Sequence, residues 1–354
     1  MEKGVYTFFF GKRNKVKYVQ SPFSYIVKES AEKQTTPALD SRTLAVFIKQ
    51  CDFEHIFDKV NWKCVSRDNP IGEKIALDRL NKYINKPYNG NEIKGLLQFE
   101  DNCWFNSLLM CLFFSDGSRR MMNNLRKSWI TSNVASRRPI YNVFTHLMEL
   151  AHYNKEVVNN VNSNIILAML HAYDKNLFEH PGYAGGSGIL YCKKLLEFLG
   201  MNKGYMEIRF IYNNNHIYVE INGKPEEYLK DITALETYIS EKQLKFRPKM
   251  MAVFFNLHVP FQIPLNINHL ELDSVYIANY KSKSDTYRHA VAGITCNGNK
   301  FIYDGERARH STTLKPFNWS SSNVSFAMTY DKNQIVRYDF TKGVRVAFFI
   351  DTRV

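Results

Sequence analysis

Cys103 opens an apolar run, Cys-Trp-Phe-Asn-Ser-Leu-Leu-Met-Cys-Leu-Phe-Phe-Ser, that ends at Ser115. Its apolar residues go nearly all round a helix, the pattern of a helix buried on every side. Asp101 and Asn102 stand just before it as candidate N-caps, so the thiol falls in the predicted first turn. A helix N-terminus presents unpaired N–H groups and a partial positive charge, which favours the thiolate, the attacking form of cysteine. So placed, Cys103 could form a thioester with a carbonyl substrate. The competing reading is an ordinary core cysteine, as Cys111 is expected to be, because free cysteine is among the most buried residue types. The segment alone leaves the two open. A nucleophilic thiol also needs a base, and the base an orienting group. The chain has 10 histidines, so a histidine at a strand edge is by itself more often structural than catalytic.

A resemblance supplies the partners. Gly95-Leu96-Leu97-Gln98-Phe99-Glu100-Asp101-Asn102-Cys103-Trp104-Phe105-Asn106-Ser107-Leu108-Leu109 resembles the cysteine box of ubiquitin-specific proteases, G-L-x-N-x-G-x-T-C-[YF]-[MF]-N-S-x-L. Gln98 takes the place of the box's oxyanion-hole Asn and carries the same amide donor; Glu100 and Asn102 depart from the box. Downstream, Tyr287-Arg288-His289-Ala290-Val291-Ala292-Gly293 resembles the family's G-H-Y-x-A-[YF] segment. Lys300-Phe301-Ile302-Tyr303-Asp304-Gly305 resembles its W-x-x-F-D-[DN] segment. The spacing suits a hairpin turning at Asn297-Gly298-Asn299, which would bring Asp304 beside His289. Val346-Ala347-Phe348-Phe349-Ile350 is similar to the family's closing strand.

The resemblance implies a papain-like α+β fold, with Cys103 as nucleophile, His289 as base, Asp304 as orienting group, and Gln98 with the Cys103 N–H as oxyanion donors. It implies hydrolysis of peptide or isopeptide bonds after a Gly-Gly-type tail, on ubiquitin, a ubiquitin-like protein or a precursor, with no cofactor and no metal. Two departures matter. The acidic residues of the family's Q-Q-D-A-x-E-F motif are missing around Gly185-Gly186-Ser187 and Tyr191–Leu199, and no C-x-x-C pair stands for the zinc-binding fingers. Gly182, Gly185, Gly186 and Gly188 could let a thin substrate tail pass, or form a plain loop. Asp101-Asn102-Cys103-Trp104-Phe105 is also similar to the OTU-type D-G-N-C-x-[FW] box, which would not need Asp304, and to viral papain-like proteases that process precursors. A third reading is a basic binding or structural protein on a protease fold without activity; the full set of site residues argues against it.

The elements that must position these residues fall into two blocks. Residues 140–173 and 189–200 read as helices beside the one at 103–115. From about 205, Ile208–Tyr212, Ile217–Ile221, Met251–Leu257, Val275–Tyr280, Ala290–Thr295, Lys300–Tyr303 and Val344–Ile350 are short β-rich runs between Asn, Gly, Pro and charged turns. Helices first and strands after give an α+β class: a helical subdomain carrying the cysteine and an antiparallel β subdomain carrying the histidine and aspartate. Residues 91–354 are expected to be the catalytic domain and 1–90 an N-terminal extension, with a strand at Val5–Phe10 and a helix at Leu44–Phe57.

The 354 residues are 45% hydrophobic and 14% aromatic, enough for a substantial core, and 23% charged. The net charge of +13 favours acidic partners. Arg119, Arg120, Arg126, Lys127, Arg137 and Arg138 lie between Asp116 and Glu149 with no acid among them. They are expected to be a solvated helix face or, functionally, a site for an acidic partner. Six cysteines are too few for a disulfide scaffold, so reduced thiols and an intracellular, cytoplasmic location are expected. No signal-peptide core or membrane span is visible. The lysine and asparagine richness fits an AT-rich genome such as that of a large DNA virus.

Overall fold

The computed structural model describes residues 51–93, 95–96, 98, 102–153, 163–178, 188–201, 203–213, 216–257, 260–279, 289–305, 314–321, 325–329 and 335–353. The expected strand at Val5–Phe10 and the glycines 182, 185 and 186 lie outside the described residues.

The first elements are a hairpin of β1 (His55–Asp58) and β2 (Lys63–Ser66) and the helix α1 (Pro70–Tyr83). Asn69 caps α1 by accepting the Gly72 N–H at 2.8 Å, and Pro70 occupies the first turn, where its missing N–H costs nothing. Then come α2 (Cys103–Phe113), α3 (Asp116–Ile130), α4 (Arg138–Tyr153), α5 (Ser163–Tyr173) and α6 (Gly188–Phe198). The rest is chiefly sheet: β3 (Tyr205–Asn213), β4 (His216–Ile221), β5 (Lys224–Leu229), β6 (Met250–Leu257), β7 (Asn266–Ile267), β8 (Leu270–Asn279), β9 (His289–Cys296), β10 (Asn299–Tyr303), β11 (Leu314–Pro316) and β14 (Gly343–Asp351). One helix, α7 (Ala234–Phe246), interrupts this run, and β12 (Ser325–Thr329) pairs with β13 (Ile335–Asp339) as a separate hairpin. Helix and sheet thus follow in the α+β order expected.

The main sheet runs β11-β10-β9-β8-β14-β6-β3-β4-β5, with β7 on β8. Its pairings are antiparallel except β3 with β6, which is parallel. That one departure from the expected antiparallel subdomain follows from topology: β4, β5 and α7 intervene between β3 and β6, a connection long enough for a crossover. Strand alternation gives the sheet two buried faces. Ala290, Ala292, Ile294, Phe301, Tyr303 and Phe348 pack with the helices, while Val291, Ile302, Ala347 and Phe349 join Trp319 and Tyr338 on the other side.

All 11 residues of α2 are buried, as its all-round apolar pattern requires. It ends at a corner locked to the sheet by one carboxylate. Asp273 of β8 accepts from the N–H of Gly117 at 2.7 Å and of Ser118 at 3.0 Å, at the positive end of α3, and from the Ser118 hydroxyl at 2.8 Å. Ser115 donates to the Asp273 carbonyl and accepts the Thr295 N–H, so α2, α3, β8 and β9 meet at one joint.

Three expectations change. The helix at Leu44–Phe57 is not formed where it is described: 55–57 belong to β1, and 44–50 lie outside the described residues. Its apolar Ile56 and Phe57 are both buried, so the run satisfies a short strand as well as a helix. Cys51 and Cys64 are joined by a disulfide, with Cα atoms 5.6 Å apart, rather than both reduced. They flank β1 on the two arms of the hairpin, within bridging distance. The basic run is largely not a surface: Arg119, Arg126 and Arg138 are 2%, 2% and 8% exposed. Arg138 reaches Asp68 at 2.8 Å and the carbonyl of Arg67 at 3.0 Å, acceptors that lie some seventy residues upstream. Among the described residues no helix is long and apolar enough to cross a membrane.

Candidate functional site

Cys103 is the first residue of α2, as expected, and Asn102 is its N-cap. Asn102 does not cap with its side chain. Instead its amide donates to the Ser163 hydroxyl at 2.9 Å, Asn106 donates back to Asn102 at 3.3 Å, and Ser163 donates to Asn106. This buried triangle ties the first turn of α2 to the first residue of α5 and fixes the height of the thiol. The backbone N–H groups of the first turn of α2 are left to whatever sits at the helix mouth.

His289 is the first residue of β9, and Asp304 follows the last residue of β10. The two strands join through a two-residue turn in which Asn297 and Gly298 have φ of 50° and 74°. The register pairs Ile302 with Gly293, so Asp304 stands opposite Val291 and diagonal to His289 on the same face. A diagonal pair is within reach of long side chains. His289 Nε2 lies 2.7 Å from Asp304 Oδ1, both residues nearly sealed from solvent. The Cys103 thiol lies close enough to the ring to favour its charged form. Tyr338 packs edge-on against the ring at 6.3 Å. Burial by itself would pull the imidazolium's pKa down. The hydrogen bonds and charges of Asp304 and Cys103 outweigh it, and His289 is raised from 6.5 to about 10.

Gln98 lies beside this hairpin. Its N–H donates to the carbonyl of Gly305 at 3.2 Å, and the Tyr303 hydroxyl donates to the carbonyl of Leu96 at 2.6 Å. The 96–98 segment is thus stitched to both sides of Asp304. Gly305 is glycine by necessity: a Cβ there would come 2.6 Å from the Tyr303 hydroxyl and 3.3 Å from the Gln98 nitrogen. The side chain of Gln98 is half-buried.

The structure therefore gathers Cys103, His289 and Asp304 into one contact chain and anchors Gln98 at its edge. Gly188 does not serve as a passage for a substrate. It is buried, and a Cβ on it would come 2.9 Å from the Tyr276 ring and 3.1 Å from the Trp104 carbonyl, so its small size is used for packing α6 against the start of α2. Tyr303, Ser163 and Tyr276 were not singled out from the sequence. Tyr303 sits next to Asp304 in the recognised segment and could have been; nothing in the sequence links Ser163 or Tyr276 to Cys103. Among the described residues no group of three or more His, Cys, Asp or Glu side chains could hold a metal ion.

No protein-family profile matches the chain, and no curated protein matches it. Among solved structures it is similar to the SAGA DUB module Ubp8/Sgf11/Sus1/Sgf73 bound to monoubiquitin, at 10% identity and a TM-score of 0.44, over 84% of this chain and 78% of that one. It is similar also to an essential yeast splicing factor, at 10% identity and a TM-score of 0.47, over 84% of this chain and 83% of that one. These are loose likenesses, and the chemistry proposed below stands on side-chain geometry.

Proposed function

We propose that the chain is a cysteine peptidase of the papain-like, ubiquitin-specific-protease type, with its catalytic domain at 91–354 and an extension at 1–90, and that it cleaves peptide or isopeptide bonds after a Gly-Gly-type tail. The observation that carries this reading is the buried Cys103–His289–Asp304 chain, with its 2.7 Å His–Asp bond. That bond also favours this type over the OTU-type arrangement, which has no use for Asp304.

The Cys103 thiolate attacks the carbonyl carbon, and the charge that develops on oxygen is met by the Cys103 N–H and the Gln98 amide. His289, an imidazolium below about pH 10, gives its Nδ1 proton to the leaving amine as the C–N bond breaks, leaving a thioester. The now neutral ring takes a proton from water, whose oxygen attacks the thioester; the C–S bond breaks and the thiolate–imidazolium pair is restored. Asp304 holds the ring through Nε2 and stabilises its charge. Cys103 is only 7% exposed, which favours a substrate that arrives as a narrow tail without side chains.

Ubiquitin carrying a C-terminal electrophile tests the reading. A covalent adduct with the wild-type chain and none with Cys103→Ala supports a deubiquitinase. No adduct, alongside cleavage of a Gly-Gly-X peptide, moves the substrate to a processed precursor. Neither adduct nor cleavage at any tested pH contradicts the peptidase reading and leaves a protease fold that binds.

A further inference from the structure

Asn69 and Asn102 each stand immediately before a helix, and only Asn69 caps with its side chain. Asn69, at φ −98° and ψ 159°, accepts the Gly72 N–H at 2.8 Å. Asn102, at φ −96° and ψ 13°, makes no side-chain cap on α2. The φ angles match. The difference in ψ takes Asn102 out of the extended conformation that a capping residue adopts. Its backbone carbonyl still accepts the N–H groups of Phe105 and Asn106, each at 3.0 Å, so the helix itself begins in the ordinary way. What is diverted is the side chain.

The Ser163 hydroxyl, at the start of α5, is where it goes. Asn102 donates to Ser163 at 2.9 Å, Ser163 donates to Asn106, and Asn106 donates to Asn102 at 3.3 Å. Each side chain gives one hydrogen bond to the ring and takes one from it. Asn102, Ser163 and Asn106 are 2%, 0% and 0% exposed. Stability alone does not account for a polar ring in this place, because matched apolar groups can replace both partners of a buried hydrogen bond at little cost. Its position beside Cys103 does. A capping Asn102 oxygen would lie over the first-turn N–H groups of α2. The oxyanion of a reacting carbonyl, which the Cys103 N–H is to meet, would then face an oxygen where it needs donors.

We propose that Ser163 is a positioning residue: by holding the Asn102 amide on α5, it keeps the mouth of α2 open to the substrate oxyanion. This inference rests on the peptidase reading and deepens it. Ser163 touches no reacting atom and acts through Asn102. The chain thereby forgoes the stabilisation of an N-cap at the helix whose N-terminus does the chemistry.

Ser163→Ala and Asn102→Gly are compared on a Gly-Gly-X peptide. Each removes two of the three bonds of the ring, so a merely structural ring predicts similar losses from both. Glycine is well tolerated at an N-cap and carries no oxygen to swing over the mouth. Ser163→Ala should lower kcat by roughly 10–10²-fold, a part of what losing an oxyanion donor costs, with KM little changed. Asn102→Gly should lower kcat less, and adding it to Ser163→Ala should raise kcat again. A Gly-Gly aldehyde reads the oxyanion directly: the Cys103 sulfur bonds to the aldehyde carbon, and the electron pair of the C=O bond passes to oxygen. Its affinity should fall with kcat in Ser163→Ala. Alkylation of Cys103 by iodoacetamide, which releases iodide and builds no oxyanion, should change far less. Asn102→Asp keeps the test open if Ser163→Ala does not fold. Aspartate caps well but, when ionised, cannot donate to Ser163, so kcat should fall below that of Asn102→Gly. The proposal is overturned by an unchanged kcat or aldehyde affinity in Ser163→Ala, by equal losses in Ser163→Ala and Asn102→Gly, or by Asn102→Asp matching Asn102→Gly. A wild-type chain that neither cuts the peptide nor binds the aldehyde overturns the peptidase reading, and this inference with it.

Discussion

Two histidines of this chain are equally hidden from water and are held in opposite states. His289, at the mouth of α2, is 4% exposed and raised to about 10. His146, in the α3–α4 seam, is 2% exposed and lowered to about 3. Burial pushes both rings toward the neutral form. What separates them is the neighbour: His289 faces Asp304 and the Cys103 thiol, whereas Nδ1 of His146 takes a hydrogen bond from Arg67 at 3.1 Å, with Arg79 adding to the repulsion. Burial sets the stakes, and the sign of the adjacent charge decides the outcome. One corner is thereby built to store a proton that can be delivered, the other to exclude one.

The comparison breaks first at activity. His289→Ala should reduce turnover on the order of 10⁴-fold, the scale of removing one member of a catalytic unit. His146→Gln, in spite of equal burial, should leave turnover of the folded fraction unchanged. Steady-state kinetics on both variants checks this; a large kinetic loss in His146→Gln would erase the distinction. Next, Gln98→Ala should lower turnover by roughly 10²–10³-fold with the fold intact. An unchanged rate would mean that another donor meets the oxyanion.

The pH dependence sharpens the comparison, because the two rings act in opposite windows. For His289 the folded pKa is raised, so its stabilisation is fully present below pH 6.5 and is lost as pH climbs toward 10. For His146 the folded pKa is depressed, so its stabilisation is present above 6.5 and is lost as pH falls toward 3. Melting temperature against pH should therefore lose its alkaline decline in His289→Gln and its acid decline in His146→Gln. Activity should likewise hold until an alkaline limb near pH 10, and Asp304→Asn should move that limb down. If the limb stays in place in Asp304→Asn, Asp304 is not the group that sustains the imidazolium.

Smaller effects are expected from the stitching around Asp304. Gly305→Ala should cost about 1–3 kcal/mol of stability through overpacking, because its Cβ meets Tyr303, Leu96 and Gln98. It should also lower turnover of the folded protein. Tyr303→Phe removes the hydrogen bond to the Leu96 carbonyl and should cost about 1 kcal/mol. Chemical denaturation paired with kinetics separates the two contributions in each variant.

Patterns local in sequence were legible: α2 from its all-round apolar run, the turn at Asn297-Gly298, and the strands from Ile208 to Ile350 that carry period-two apolar residues. The β9–β10 register follows from that turn, which is why the His289–Asp304 pair could be anticipated. Other local signals were overlooked. Asn69-Pro70 before an amphipathic stretch marks α1, and Asn222-Gly223, with φ of 53° and 79°, marks the turn into β5. The β5 segment, Lys-Pro-Glu-Glu-Tyr-Leu, is an exposed edge strand with no apolar alternation to betray it. The buried arginines were beyond sequence reading for a different reason. Arg138, for one, finds its acceptor in Asp68, far outside the acid-free run, and only the packing of α4 against the chain near Asp68 brings the two together. The Cys51–Cys64 bond depended likewise on a hairpin read as part of a helix.

The central claim, that Cys103 is held as a nucleophile by His289, is tested most directly by timed alkylation of the native chain at neutral pH, with each cysteine quantified by mass spectrometry. Burial pushes the thiols of Cys111, Cys192 and Cys296 up, which keeps them protonated and slow. The account predicts that Cys103 is labelled first, and that His289→Ala removes its advantage. Labelling of Cys103 no faster than those three, or at a rate indifferent to His289→Ala, would contradict it.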